Sequence, residues 1–92
     1  MSTFDAVQDP DANLDYKINW ALWLNQDTIT ASTYTIDPAG ALTITFENYD
    51  TTETEVWLSN GDRGRKYKVI NHITTAQGRE TDRTILVEIQ DK

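Results

Sequence analysis

The sequence predicts an all-β fold, an antiparallel β-sandwich of about seven strands. Two observations carry that reading. The first is strict apolar–polar alternation in separated segments, the period of a half-buried strand. It runs through Leu14-Asp15-Tyr16-Lys17-Ile18-Asn19-Trp20 and returns at Tyr67, Val69, Asn71 and Ile73. The second is a corner, in which Gly64 is followed three residues on by Tyr67 and then by Val69. That spacing matches the tyrosine corner of immunoglobulin-like sandwiches, where the hydroxyl bonds back to upstream backbone and an inward residue follows two positions later. Val69 stands where antibody domains put a cysteine, and the Tyr67 hydroxyl is expected to reach backbone within residues 58–62.

The elements follow in order. Residues 1–13 hold Asp5, Asp9, Pro10 and Asp11 with little apolar periodicity. They read as an extended N-terminal arm ahead of a sandwich spanning 14–92, adding little to the core and ordering against a neighbour. The first strand is 14–20, and Ala21-Leu22-Trp23-Leu24 then breaks the alternation as a tight turn or a single helical turn. Residues 28–36 are Thr-rich and β-branched, a second strand with a bulge because Ile29 and Tyr34 are out of phase. Asp37-Pro38-Ala39-Gly40 is a turn, and Leu42, Ile44 and Phe46 alternate with threonines in a third strand. Thr54, Val56 and Leu58 define a fourth, and residues 59–64 form the corner, with Asn60-Gly61 inside it. A strand from 65 to about 74, a polar loop, and a last strand over 83–89 with Ile85, Val87 and Ile89 in phase complete the pattern.

Bulk composition bounds the function. The chain has 92 residues, enough for one core, and no cysteine, which suits a reducing compartment. Its start lacks the basic and apolar regions of a secretory signal, so folding in a cytoplasm is expected. A net charge of −7 argues against nucleic-acid binding, and no apolar run suggests a membrane partner. The charge is uneven: residues 1–60 carry ten acidic groups and one basic, whereas 61–92 carry seven basic and five acidic. Unlike patches of this kind suit head-to-tail assembly, with Arg63, Arg65, Lys66 and Lys68 on one side and the acidic excess, including Asp9 and Asp11 of the arm, on the other.

Catalytic chemistry finds little support. The single histidine, His72, sits mid-strand, and nothing near Ser2, Ser32 or Ser59 builds a triad. Zinc lacks ligands, and neither Asp9-Pro10-Asp11 with Asp15 nor Asp50 with Glu53 and Glu55 follows a calcium loop. The expectation is a protein that is not an enzyme and holds no cofactor or metal. Among the aromatics, Trp20 is in phase with the core. Trp57 lies between inward Val56 and Leu58 and so faces out, and Trp23 sits in the irregular segment. Trp57 and Trp23 are therefore candidate interface residues.

Three ordered stretches carry a resemblance: Asp9-Pro10-Asp11-x-x-Leu14-Asp15-Tyr16, Ile18-x-Trp20-x-x-Trp23-Leu24 and Asp27-x-Ile29-x-x-Ser32-x-Tyr34-x-Ile36. The second half adds Val56-Trp57-Leu58-Ser59-x-Gly61, then Gly64-x-x-Tyr67-x-Val69-x-Asn71-x-Ile73-Thr74-Thr75-x-x-Gly78-Arg79, and Arg83. Together, over residues 8–89, they resemble the tailed-phage fiber-tail adaptor proteins. Gln8 departs from the lysine expected there, and Tyr34 from the more usual tryptophan. The resemblance implies a structural virion protein of the tail or neck. Assembly in the bacterial host cytoplasm fits the missing cysteines and signal, and a multi-copy ring contacting a connector protein and a fiber protein fits the small domain and its unlike patches. One competing reading is a carbohydrate-binding or adhesive β-sandwich module, which needs an exposed aromatic platform to which Trp57 and Tyr49 would contribute. Another is an intracellular regulator mimicking DNA, disfavoured because the acidic residues are scattered among strand-forming threonines.

Overall fold

The computed structural model describes residues 2–9 and 12–90. Among these residues seven strands and one helical turn follow one another: β1 (Ser2–Gln8), β2 (Asn13–Asn19), α1 (Ala21–Leu24), β3 (Ile29–Asp37), β4 (Thr43–Tyr49), β5 (Glu53–Ser59), β6 (Lys66–Thr75) and β7 (Glu80–Ile89). They form a four-stranded sheet in the order β1-β7-β6-β3 and a three-stranded sheet in the order β2-β5-β4. Counted against the immunoglobulin pattern, β2, β5 and β4 take the places of strands B, E and D, and β3, β6 and β7 those of C, F and G. The first strand departs from the constant-type arrangement: it lies beside the last strand and not beside β2.

Alternation builds the core. Val56 and Leu58 from one sheet face Val69, Ile73, Ile85, Val87 and Ile89 from the other, all fully buried. Trp20, Leu24, Ile29, Tyr34 and Tyr67 close the cluster. Of the tight turn or single helical turn expected at residues 21–24, the helical turn forms as α1, which buries Leu24 and ends on two left-handed residues, Asn25 (φ 48°) and Gln26 (φ 74°). The bulge anticipated early in β3 falls between Ile29 and Ala31.

Two expectations are corrected. Residues 2–8 are extended, but β1 pairs parallel with β7 from Ser2↔Arg83 to Gln8↔Ile89, inside the domain and not ahead of it. The reason lies in a polar residue that does not read as inward. Gln8 is fully buried. Its Nε2 donates to the Leu58 carbonyl at 2.7 Å, and its Oε1 accepts from the Tyr16 hydroxyl at 2.8 Å. One carboxamide thus satisfies a carbonyl of the opposite sheet and a neighbouring phenol, which removes the cost of burying it. The second correction concerns β4. An irregularity between Ile44 and Phe46 shifts the register, so Ile44 pairs with buried Leu58 while Phe46 pairs with Trp57. The extra residue inverts the phase of the strand, and Phe46 points out, 54% exposed.

Candidate functional site

Three groups of side chains carry the candidate functional residues. The first is the corner between β5 and β6. The buried Tyr67 hydroxyl donates to Asp62 Oδ2 at 2.9 Å, and it accepts from the Asp62 N–H at 3.4 Å. The expected upstream bond is therefore made to the Asp62 carboxylate as well as its backbone. The Tyr67 hydroxyl bond is the main influence holding the Asp62 carboxyl below its ordinary value. Desolvation opposes it, and the Ala41 amide and Arg65 assist. Gly64 turns the chain at φ 80°, and its N–H donates to the Ile89 carbonyl at 2.7 Å. Gly40 is needed for a different reason, since a Cβ there would sit 2.8 Å from the Tyr67 hydroxyl.

The second group surrounds α1. Asp27 is buried, and its carboxylate accepts from the Thr28 N–H at 2.8 Å, the Gln77 N–H at 3.2 Å and Arg79 Nε at 3.1 Å. Burial pushes the Asp27 carboxyl up, but hydrogen bonds from Thr75, Thr28, Arg79 and Gln77 together hold it below the ordinary value. The same Arg79 donates through Nη2 to the Leu24 carbonyl at 2.6 Å and lies over the Trp23 ring at 4.3 Å. Arg83 covers Trp20 at 4.2 Å. Trp20 Nε1 donates to Asn71 Oδ1 at 3.1 Å, the Thr54 hydroxyl donates to that oxygen at 2.8 Å, and Asn71 Nδ2 donates to Ser32 Oγ and the Thr33 carbonyl.

These distances decide the identity of much of the motif. Over residues 8–88 the sequence matches the family described as Podophage GP4 fiber-tail adaptor protein gp77. The chain belongs to this family. It is a phage virion protein with a structural role. No curated protein matches the sequence. Within this adaptor, Trp20, Trp23, Asp27, Ser32, Asn71, Arg79 and Arg83, all carriers of the resemblance, act by holding the two sheets and α1 together. Their shared environment was not readable from spacing, because Asp27 and Arg79 are 52 positions apart.

The third group is the pair of outer sheet faces. Trp57 is half-buried on the outer face of the three-stranded sheet, across from Asp15 on β2 and Phe46 on β4. Glu53, Glu55 and Lys17 share that face by alternation. Tyr49 pairs with buried Thr54 and so belongs to the opposite side of β4, its hydroxyl bonded to the Thr30 carbonyl at 2.9 Å. Trp57 and Tyr49 therefore make no common platform. Lys66 and Lys68 flank buried Tyr67 on β6 and project from the outer face of the four-stranded sheet. Lys66 lies across from Glu88, and Lys68 across from Leu86 and Asp37. Arg63 and Arg65 belong to the corner, with Arg65 3.5 Å from Asp62. Asp9 is half-buried beside β1, and Asp11 lies outside the described residues.

Beside β1 and β7, Ala6, Val7, Leu86 and Val87 with Lys66 and Glu88 line a largely apolar cleft of about 330 Å³. Further along the same sheet, His72 Nδ1 meets Asp82 at 2.5 Å and Nε2 meets Glu80 at 2.9 Å. Hydrogen bonds to the Glu80 and Asp82 carboxylates raise the imidazole above its ordinary value, with burial opposing them. Sequence reading missed Phe46, the cleft, and Leu22, which α1 leaves 99% exposed.

Proposed function

We propose that copies of this adaptor assemble head to tail into a ring on the phage tail or neck. One side of the ring meets a connector protein and the other a fiber protein, without catalysis, cofactor or metal. The observation that carries the reading is the distribution of Trp57 and of Lys66 and Lys68 over opposite faces of one sandwich. A heterologous contact joins two different patches, and repeating it closes a ring when the rotation permits. The acidic surroundings of Trp57 and the lysines of the other face give that contact a direction.

Reconstruction of the intact particle tests the reading. Several symmetry-related copies at the tail or neck, with Trp57 and Lys66 both covered, are expected. A lone copy with both residues facing solvent rejects it. Charge reversal at Lys66 and Lys68 should weaken assembly more at low salt than at high salt, since exposed charges are screened over about 10 Å at 0.1 M.

A further inference from the structure

The inversion of phase in β4 sets two large aromatic side chains next to each other on one outer face, Phe46 across from Trp57. An adjacent aromatic pair with one ring more than half exposed is an anchor without a socket on its own face. The socket on this molecule is the cleft of Val7, Leu86 and Ala6 on the other sheet. The sandwich is about 20 Å thick, so one copy cannot bring the two together. A second copy can. Charge favours that occupant: Asp15 lies across from Trp57 and Glu55 two residues along β5, with Lys17 across from Glu55 and Glu53 further along the same face. Lys66 and Lys68 flank the cleft, with Glu88 and Asp37 across from them. Among the described residues neither lysine, nor Asp15 nor Glu55, makes an ion pair within the chain.

We propose that the Phe46–Trp57 pair of one copy packs into the Val7–Leu86 cleft of the next, with Lys66 and Lys68 meeting Asp15 and Glu55. This contact rests on the ring reading and specifies its interface. The bulge in β4 is then a device that aims Phe46 at a neighbour, at the expense of one core position.

The absence of cysteine makes the test clean. Particles are assembled with the Phe46→Cys/Leu86→Cys double variant and treated with a short bismaleimide, and linked peptides are read by mass spectrometry. Within one copy the two positions are on opposite faces, so a link between segments 46 and 86 reports contact between copies. The expected result is a ladder of linked chains in the double variant, absent from either single variant. A multi-copy ring that gives no such link overturns this interface and leaves the ring reading standing. Particles holding single isolated copies overturn both. A charge exchange adds a readout that does not need cysteine: Lys68→Glu should lose incorporation into particles, and adding Glu55→Lys should restore it. Failure of the exchange to restore incorporation of a folded protein also counts against the contact.

Discussion

The surroundings of α1 and the two outer faces use the same residue types to different ends. Around α1, Trp20, Trp23, Asp27, Arg79 and Arg83 close on one another, and the Asp27 carboxylate alone accepts from three N–H donors. On the outer faces, Trp57, Phe46, Asp15, Glu55, Lys66 and Lys68 keep their bonding capacity open toward solvent. Composition does not separate the two sets, but internal satisfaction does. No buried side-chain nitrogen or oxygen among the described residues lacks a partner. An aromatic or charged residue whose partners lie within its own chain supports the fold. One that keeps capacity on a flat outer face is available to another molecule.

The strongest test of this contrast removes residues 1–8. That deletes the parallel partner of β7 and the Gln8 carboxamide that serves Leu58 and Tyr16, so loss of the cooperative unfolding transition is expected. A truncated chain that melts like the intact one would return β1 to the role of an arm. Next in size is a comparison of tryptophans by chemical denaturation. Trp20→Ala should cost about 3–5 kcal/mol, as truncation of a buried large aromatic does. Trp57→Ala should cost roughly 1 kcal/mol or less. Equal costs would erase the distinction between the two regions. The smallest effect belongs to His72. Its folded value is raised by Glu80 and Asp82, so the charged imidazole contributes stability below its ordinary value near 6.5. That contribution is lost as pH rises through the raised folded value. With the side chain 43% exposed, the contribution should stay below about 1 kcal/mol. His72→Asn should flatten the dependence of the unfolding midpoint between pH 6 and pH 8, and an unchanged profile would show that solvent screens the pair completely.

Much of the fold was legible because most strands obey one period. The alternation of β5, β6 and β7 named their inward residues, that of β2 named Tyr16 and Ile18 while Leu14 at its start stays 43% exposed, and the phase break between Ile29 and Tyr34 announced the bulge in β3. The two failures share a physical cause. Gln8 is polar yet inward, and Phe46 is apolar yet outward, so binary pattern misreads both. Nothing local marks either, because a hydrogen bond to Leu58, 50 positions away, settles Gln8, and pairing with Trp57 settles Phe46. Of the candidate surfaces, Trp57 and the lysines were legible as outward residues. The cleft was not, because it forms only where β1 and β7 run side by side.

The parallel course of β1 and β7 also gives the subunit a mechanical character. The described chain enters at Ser2, level with Arg83, and β7 leaves at Ile89, level with Gln8. Tension applied between these points draws β1 and β7 past each other in opposite senses. All seven paired positions share the load at once, since the ladder bonds cross between the strands and do not lie in line with the pull. A strand peeled from its end gives way one bond at a time. This pair must shear as a unit, so the edge strand that looked like a loose tether is where a pull along the chain is resisted.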